Sequence, residues 1–151
     1  MKVKVIAIGN SLMEDDGVAI VVVEKIREEL ISNNIEVIIG ETDFEYCISS
    51  IDEGDFLFII DAADYGKNPG EITVFTLESY KYEKKSYTQH SYSVIDLIKL
   101  YYKYVKGYII GIEVSSVSFK LGLSKELESK IHLILKKVLE NIEAKLLEVG
   151  H

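Results

Sequence analysis

Short apolar segments, separated by polar and glycine-containing stretches, predict a series of buried β-strands. Residues 3–8 and 56–60 are almost continuously apolar, which is typical of strands buried on both faces of a parallel sheet. Residues 71–75 instead alternate between polar and apolar side chains, as in a strand with one buried face. In all, five strands are predicted, at residues 3–8, 35–40, 56–60, 71–75 and 108–112.

Apolar residues at helical spacing predict the connections between these strands. From about residue 17 to residue 30, the apolar side chains form a stripe and the charged side chains lie largely off it. A second such pattern begins at His90. Ser124 is placed to cap a long last helix that reaches about residue 147, and residues 44–51 are a weaker helix candidate.

The order of these elements predicts an α/β fold, a three-layer αβα sandwich around a mostly parallel, twisted five-stranded sheet. The strand at 71–75 follows the strand at 56–60 too closely for a helical crossover, so we expect it to be antiparallel or at an edge. The polar residues 78–89 have no clear period and predict a mobile surface segment. Without an internal repeat or a linker, residues 1–151 are predicted to form a single domain.

Composition narrows the class of protein. The 151 residues are 48% hydrophobic and 28% charged, as in ordinary globular domains, and no apolar run approaches the roughly 20 residues that span a bilayer. The net charge of −8 disfavours a nucleic-acid partner, because an acidic surface repels phosphate. One cysteine, Cys47, excludes an intrachain disulfide, and the first residues are predicted as a strand rather than a signal peptide. We therefore expect a cytoplasmic protein without a membrane partner.

A few polar side chains are notable because they follow predicted strands. Doubly wound folds bind ligands beyond the carboxyl ends of their strands. Asp15 and Asp16 come after the first predicted strand and Asp61 after the third, while His90 begins the helix before the fifth. Carboxylates with an imidazole suit a divalent transition metal such as zinc, manganese or nickel, and three protein ligands leave coordination positions for a substrate. Asp16, Asp61 and His90 are therefore candidate metal ligands.

Each candidate also has a structural explanation. Asp15 or Asp16 could cap the following helix, and Asp61 could accept bonds from main-chain amides of its loop. His90 could be a solvated or capping residue. Against simple capping, Glu14 extends the pair to three adjacent acids, whose repulsion a cation would relieve. The H-E-x-x-H, G-x-S-x-G and Walker motifs are absent from the sequence.

Several segments, in the same order along nearly the whole chain, resemble the motifs of hydrogenase maturation endopeptidases. Residues 9–17 (Gly-Asn-Ser-Leu-Met-Glu-Asp-Asp-Gly) are similar to the G-N-x-L-x-x-D-(D/E)-G signature of that family. Residues 61–71 resemble its D-A-x-x-x-G-x-x-P-G stretch, and Gln89-His90 resembles its histidine segment. Weaker matches are Gly111-Ile112-Glu113 and Gly122-Leu123-Ser124.

This resemblance implies a function and a set of site residues. Members of the family remove a C-terminal tail from the precursor of the NiFe-hydrogenase large subunit after nickel has been inserted. Two acids and one histidine contact the metal, and here these catalytic, metal-contacting residues would be Asp16, Asp61 and His90. Asp15 is not expected to be a ligand. The nickel would be carried by the substrate and recognised rather than permanently bound, with another divalent metal able to replace it in vitro.

The chain departs from the family pattern at two positions, and two other functions stay open. Ala19 and Val114 stand where the family usually has glycine and proline, and neither change removes a proposed ligand. A receiver-like phosphoacceptor domain also has acids after its first and third strands, but its acidic pair comes earlier than here. A member of the same family that binds a partner without cleaving it is the other alternative.

Overall fold

The computed structural model describes residues 1–79 and 89–150, with side chains in the second range from residue 94 onward. The segment predicted to be mobile, 78–89, therefore lies mostly outside the described residues. A single 3₁₀ turn, Glu14–Gly17, precedes the first helix. The elements are β1 Val3–Ile8, α1 Val18–Ser32, β2 Glu36–Glu41, α2 Phe44–Ser49, β3 Phe56–Ala63, β4 Ile72–Thr76, α3 Gln89–Tyr101, β5 Lys106–Glu113, α4 Lys125–Ser129 and α5 Ile131–Glu148.

The five strands form one sheet in the order β2-β1-β3-β5-β4. The pairs β1·β2, β1·β3 and β3·β5 are parallel, and β4 pairs with β5 in the antiparallel direction at the edge. Because β4 follows β3 after a short loop, it returns along the far side of β5 rather than through a helical crossover. The predicted α/β fold with one antiparallel edge strand is confirmed.

Helices cover both faces of the sheet and create two apolar cores. On one face, α1 and α5 pack on the sheet and bury residues such as Val22, Val23 and Val138. On the other face, α2 and α3 contribute buried residues such as Cys47 and Ile95. Each large aliphatic side chain removed from water contributes about 1.5–3 kcal/mol, so burial on both faces fixes the sheet and its strand ends. No helix in the described part of the chain has the length and apolarity needed to cross a membrane.

Two details of the predicted elements were wrong. Asp61 was expected just beyond the end of its strand, but β3 continues to Ala63, so Asp61 lies within the strand and is paired in register with Gly111. The predicted long last helix is two helices, α4 and α5, separated at Lys130, whose φ and ψ of −105° and 4° are not helical. Ser124 does cap α4, because its side chain accepts a hydrogen bond from the Leu127 amide.

Candidate functional site

The loop after β1 folds back so tightly that it brings Asp16 to the end of its own strand. Gly9 has a φ of +149°, and a Cβ atom there would lie 2.2 Å from the Asp16 carbonyl oxygen. Gly17 is similarly confined, since a Cβ would lie 2.9 Å from the Ser11 Cα. Only glycine fits such approaches without moving the backbone. The Gly-Asn-x-Leu motif is therefore a sharp turn that returns the chain to the carboxyl edge of the sheet.

Asp16 lies in this turn and is 3% exposed. Its Oδ2 atom accepts a hydrogen bond from the Asn10 amide at 2.9 Å, which fixes the orientation of the carboxylate. The capping explanation was wrong for both acids, because the N-cap of α1 is Gly17 and no side chain caps either this helix or the preceding turn. The turn also contacts β3, the strand that carries Asp61.

Asp61 lies in β3 near its carboxyl end and is 1% exposed. Its Oδ1 atom accepts a hydrogen bond from the adjacent Ala62 amide at 2.8 Å, so the expected main-chain partner is present. Because Ala7 of β1 is in register with Ile60 of β3, Asp61 stands one residue beyond that pair, beside the end of β1. The structure therefore places Asp16 in the turn after β1, and Asp61 near the carboxyl end of the neighbouring strand β3.

The third predicted ligand, His90, begins α3, but its ring is not among the described side chains. The direction of α3 is defined by its other end, where the Tyr102 hydroxyl donates to the carbonyl oxygens of Ile48 and Ile51, just before β3 begins. A helix of 13 residues is about 20 Å long. Its first residues consequently point toward the edge that holds Asp16 and Asp61. The convergence of the three side chains stays a prediction.

Asp15 has a different environment from its neighbour. Its side chain is completely buried, and four donors surround it. Oδ2 accepts bonds from the Ser115 amide (3.0 Å), the Ser116 amide (2.9 Å) and the Ser124 hydroxyl (2.8 Å), and Oδ1 accepts one from the Ser124 amide (2.7 Å). Asp15 thus joins the loop after β1 to the loop after β5, about a hundred residues later in the sequence. The expectation that it is not a ligand fits this arrangement.

Glu14 reinforces the same junction. Its Oε1 atom accepts bonds from the hydroxyls of Ser116 (2.7 Å) and Ser118 (3.1 Å), and its amide donates to the Lys120 carbonyl at 2.8 Å. Glu14 adopts a φ of +50°, a left-handed conformation that is uncommon outside glycine. The three adjacent acids are therefore divided: Glu14 and Asp15 are bonded to the loop after β5, and Asp16 is directed back to its own turn.

Glu113 is a functional candidate that the sequence predictions missed. It is the last residue of β5 and is buried, and both of its carboxylate oxygens lie 3.0–3.1 Å from the Tyr65 amide. Burial raises the pKa of this carboxyl above its usual range, although the amides of Tyr65 and Lys67 act in the opposite direction. Glu113 thereby holds the loop that follows Asp61. The strand-end rule that selected Asp61 would have found it if applied to β5.

Among the described side chains, to which the His90 ring does not belong, no three potential metal ligands form a cluster. The chemistry of Asp16 and Asp61 nevertheless fits a divalent cation. Carboxylate oxygens are among the ligands that divalent metals accept in proteins. Two buried carboxylates at one edge also repel each other, and a cation relieves that repulsion. A metal brought by a substrate would meet oxygen ligands here.

Comparison with known proteins identifies similar sequences and folds. A family model described as hydrogenase maturation protease matches residues 20–141, a range that contains Asp61 and His90 and begins after Asp16. The hydrogenase expression/formation protein HupD of Bradyrhizobium diazoefficiens is 33% identical over 72 residues, which are 47% of this chain. The HupD of Rhizobium leguminosarum is 34% identical over 74 residues, which are 48% of this chain. The two alignments span only 38% and 37% of the length of these relatives.

Solved structures match over much more of their length. The hydrogenase maturating endopeptidase HybD of E. coli superimposes with a TM-score of 0.74, covering 99% of this chain and 94% of that one at 22% identity. The hydrogenase maturation protease HybD of Thermococcus kodakarensis gives a TM-score of 0.71 at 25% identity, covering 93% and 98% of the two chains. The first of these likenesses concerns the fold alone.

Proposed function

This chain belongs to the hydrogenase maturation protease family, and we propose that it is an endopeptidase that removes the C-terminal extension of a nickel-loaded NiFe-hydrogenase large-subunit precursor. The observation that carries the proposal is the placement of two buried carboxylates at the carboxyl edge of the sheet, Asp16 in the turn after β1 and Asp61 near the end of the neighbouring β3. Family membership gives the receiver-like alternative no support. Cleavage, substrate and metal recognition are all parts of the proposal.

In this proposal Asp16, Asp61 and His90 contact the nickel that the precursor carries. Nickel is then part of the substrate, and its presence decides whether the precursor binds productively. The amides of Asn10 and Ala62 hold the two carboxylates in fixed orientations before the substrate arrives. Such preorganisation reduces the ordering cost of binding. A precursor without nickel would lack these metal contacts, and it should bind poorly.

Hydrolysis adds one water molecule across the scissile amide. The water oxygen bonds to the carbonyl carbon, the carbon–nitrogen bond breaks, and the leaving amine takes a proton. Two groups at this edge are candidates for activating the water: the substrate's nickel as a Lewis acid, and Asp16 as a general base. The described residues around the edge offer no cysteine nucleophile, since Cys47 is part of α2 and lies buried in the core under α2 and α3.

The setting proposed for this reaction is the cytoplasm. The one cysteine is free and buried, and burial raises the pKa of its thiol to about 11, so it stays protonated and unreactive. The net charge of −8 disfavours a nucleic-acid partner, because an acidic surface repels phosphate. We propose no membrane partner.

The test is incubation of the purified protein with nickel-loaded and nickel-free precursor, followed by mass spectrometry of the precursor. We expect a loss of mass at the C-terminus of the nickel-loaded form alone. Asp16→Asn, Asp61→Asn and His90→Ala should fold normally and fail to process it. Matched controls are Asp64→Asn and His132→Ala, which change exposed residues of the same types and should process normally.

The outcomes separate the proposal from its alternative. Binding of the loaded precursor without any loss of mass would support the non-cleaving family member instead. Processing at the wild-type rate by His90→Ala would refute the assignment of that residue. Equal processing of nickel-loaded and nickel-free precursor would refute metal recognition while leaving the protease activity.

A further inference from the structure

The segment 115–121, after β5, exposes large apolar side chains beside the candidate site. Phe119 is 83% exposed and Leu121 is 73% exposed. Leu12, in the loop that leads to Asp16, is 52% exposed. Exposed apolar residues are common singly, but a group of them at a functional edge marks an interaction surface more often than chance placement does. We call Leu12, Phe119 and Leu121 the apolar rim.

The apolar rim is joined directly to the turn that holds Asp16. Lys120, between Phe119 and Leu121, forms a parallel bridge with Met13. The Lys120 amide donates to the Leu12 carbonyl at 3.1 Å, and the Lys120 carbonyl accepts from the Glu14 amide at 2.8 Å. Two residues therefore separate this pairing from Asp16. The rim is therefore a neighbour of the turn at which a protein substrate would place its scissile bond.

Hydrogen bonds from buried acids also hold the segment of the rim that carries Phe119. The carboxylates of Glu14 and Asp15 bond the amides or hydroxyls of Ser115, Ser116 and Ser118, all within four residues of Phe119. Rigid presentation matters because the ordering of mobile loops subtracts from binding energy. Two buried acids thus stabilise a segment whose large apolar side chains are exposed.

Two other places with exposed apolar side chains lie at the opposite edge. Tyr104 is near Glu53, to which its amide donates, just before β3 begins. Val149 lines a cleft with Phe56 and Lys106, the first residues of β3 and β5. Both places are at the amino ends of the parallel strands. Of the groups compared, only the apolar rim shares the edge with Asp16 and Asp61.

We infer that the apolar rim is the docking surface for the precursor, and that it receives an apolar segment next to the scissile bond. This inference rests on the proposed function, which requires a protein substrate rather than a small molecule. An occupant reaching Asp16 from the rim is the substrate itself, because the rim is continuous with the turn that bears the site. The rim would then supply affinity, and the nickel contacts would supply the condition for cleavage.

The test compares KM and kcat for nickel-loaded precursor. Phe119→Ala should raise KM about tenfold and Leu121→Ala several-fold, as for buried anchors of an interface, with kcat within about twofold of wild type. Leu147→Ala is the matched control, since Leu147 is 74% exposed and lies at the far end of α5. Its KM should equal that of wild type. Melting temperatures of the three variants should be close to that of wild type, which shows that they fold.

The results distinguish this inference from the proposed function. If wild type shortens the precursor while Phe119→Ala and Leu121→Ala have wild-type KM values, the docking surface is refuted and the protease stands. If wild type binds the precursor without shortening it, dissociation constants replace KM. Weaker binding by the two variants then supports the surface, while the protease fails. If wild type neither binds nor shortens the precursor, both are overturned.

Discussion

Replacing Asp15 with asparagine tests whether this residue is a structural junction rather than a metal ligand. The carboxylate accepts four hydrogen bonds of 2.7–3.0 Å in a completely buried position. An amide oxygen in place of Oδ2 retains three of them as neutral bonds, and the amide nitrogen then faces the Ser124 N–H group. A buried donor without an acceptor costs about 1–3 kcal/mol, and neutral bonds are weaker than bonds to a charged group.

These terms give a destabilisation of about 3 kcal/mol or more for Asp15→Asn, which corresponds to a fall in melting temperature of about 6–12 °C for a domain of this size. Denaturant and thermal unfolding measure it. Asp64→Asn makes the same chemical change at an exposed residue and should alter stability by less than about 0.5 kcal/mol. A double-mutant cycle with Ser124→Ala isolates the direct coupling. If Asp15→Asn unfolds like wild type, the junction contributes nothing and the division of roles between the acids is wrong.

Two further predictions concern buried charges that the proposed reaction does not use. Burial raises the pKa of Glu113 above its ordinary value, so the folded protein keeps this proton at pH values where the unfolded chain has lost it. The contribution of Glu113 to stability therefore falls as pH rises from about 4.5 through the raised pKa. Glu113→Gln should remove this pH-dependent contribution to the unfolding free energy. The prediction is contradicted if the difference in unfolding free energy between wild type and variant stays constant from about pH 4 to about pH 8. At the opposite edge, Lys4 is buried and lies 2.7 Å from the buried Asp55. Lys4→Met leaves that carboxylate without its cation, so stability should fall by about 3–5 kcal/mol, while processing at a temperature where the variant stays folded should be unchanged. Lost processing in folded Lys4→Met would show that the two edges are coupled.

The strands could be predicted from the sequence because a strand buried on both faces is a continuous run of apolar residues. Continuous apolar runs identified β1 and β3, and the short distance from β3 to residues 71–75 identified the antiparallel edge strand. The break between α4 and α5 could not be predicted in this way, because the apolar pattern does not change there. Leu127, Ile131 and Ile134 keep helical spacing across it, and all three are buried. The break depends on the backbone of Lys130, whose ammonium donates to the Pro69 carbonyl at 3.1 Å, a contact between segments that are distant in sequence.

The site could be predicted in part for the same reason. Polar residues that follow a buried strand are visible in the sequence, which is how Asp16, in the loop after the first strand, and Asp61, directly after the third, were selected. The role of Asp15 was not visible, because its partners are Ser115, Ser116 and Ser124, and no local pattern relates them to it. Glu113 directly follows the predicted strand 108–112, but it was considered only as part of the Gly111-Ile112-Glu113 motif. Its contact with the Tyr65 amide required the fold.

The hydrogen bonds of Asp15 give it a different role from that of its neighbour Asp16. Its carboxylate accepts four bonds, three of them from amides that are fixed by the backbone. A cation at Asp15 would compete with these charge-assisted bonds, and their loss would release the loop after β5, including the rim segment with Phe119. Binding a substrate's metal there would therefore dismantle the surface proposed to hold that substrate. Contact through Asp16 and Asp61 leaves the junction intact, so metal recognition and docking can occur together.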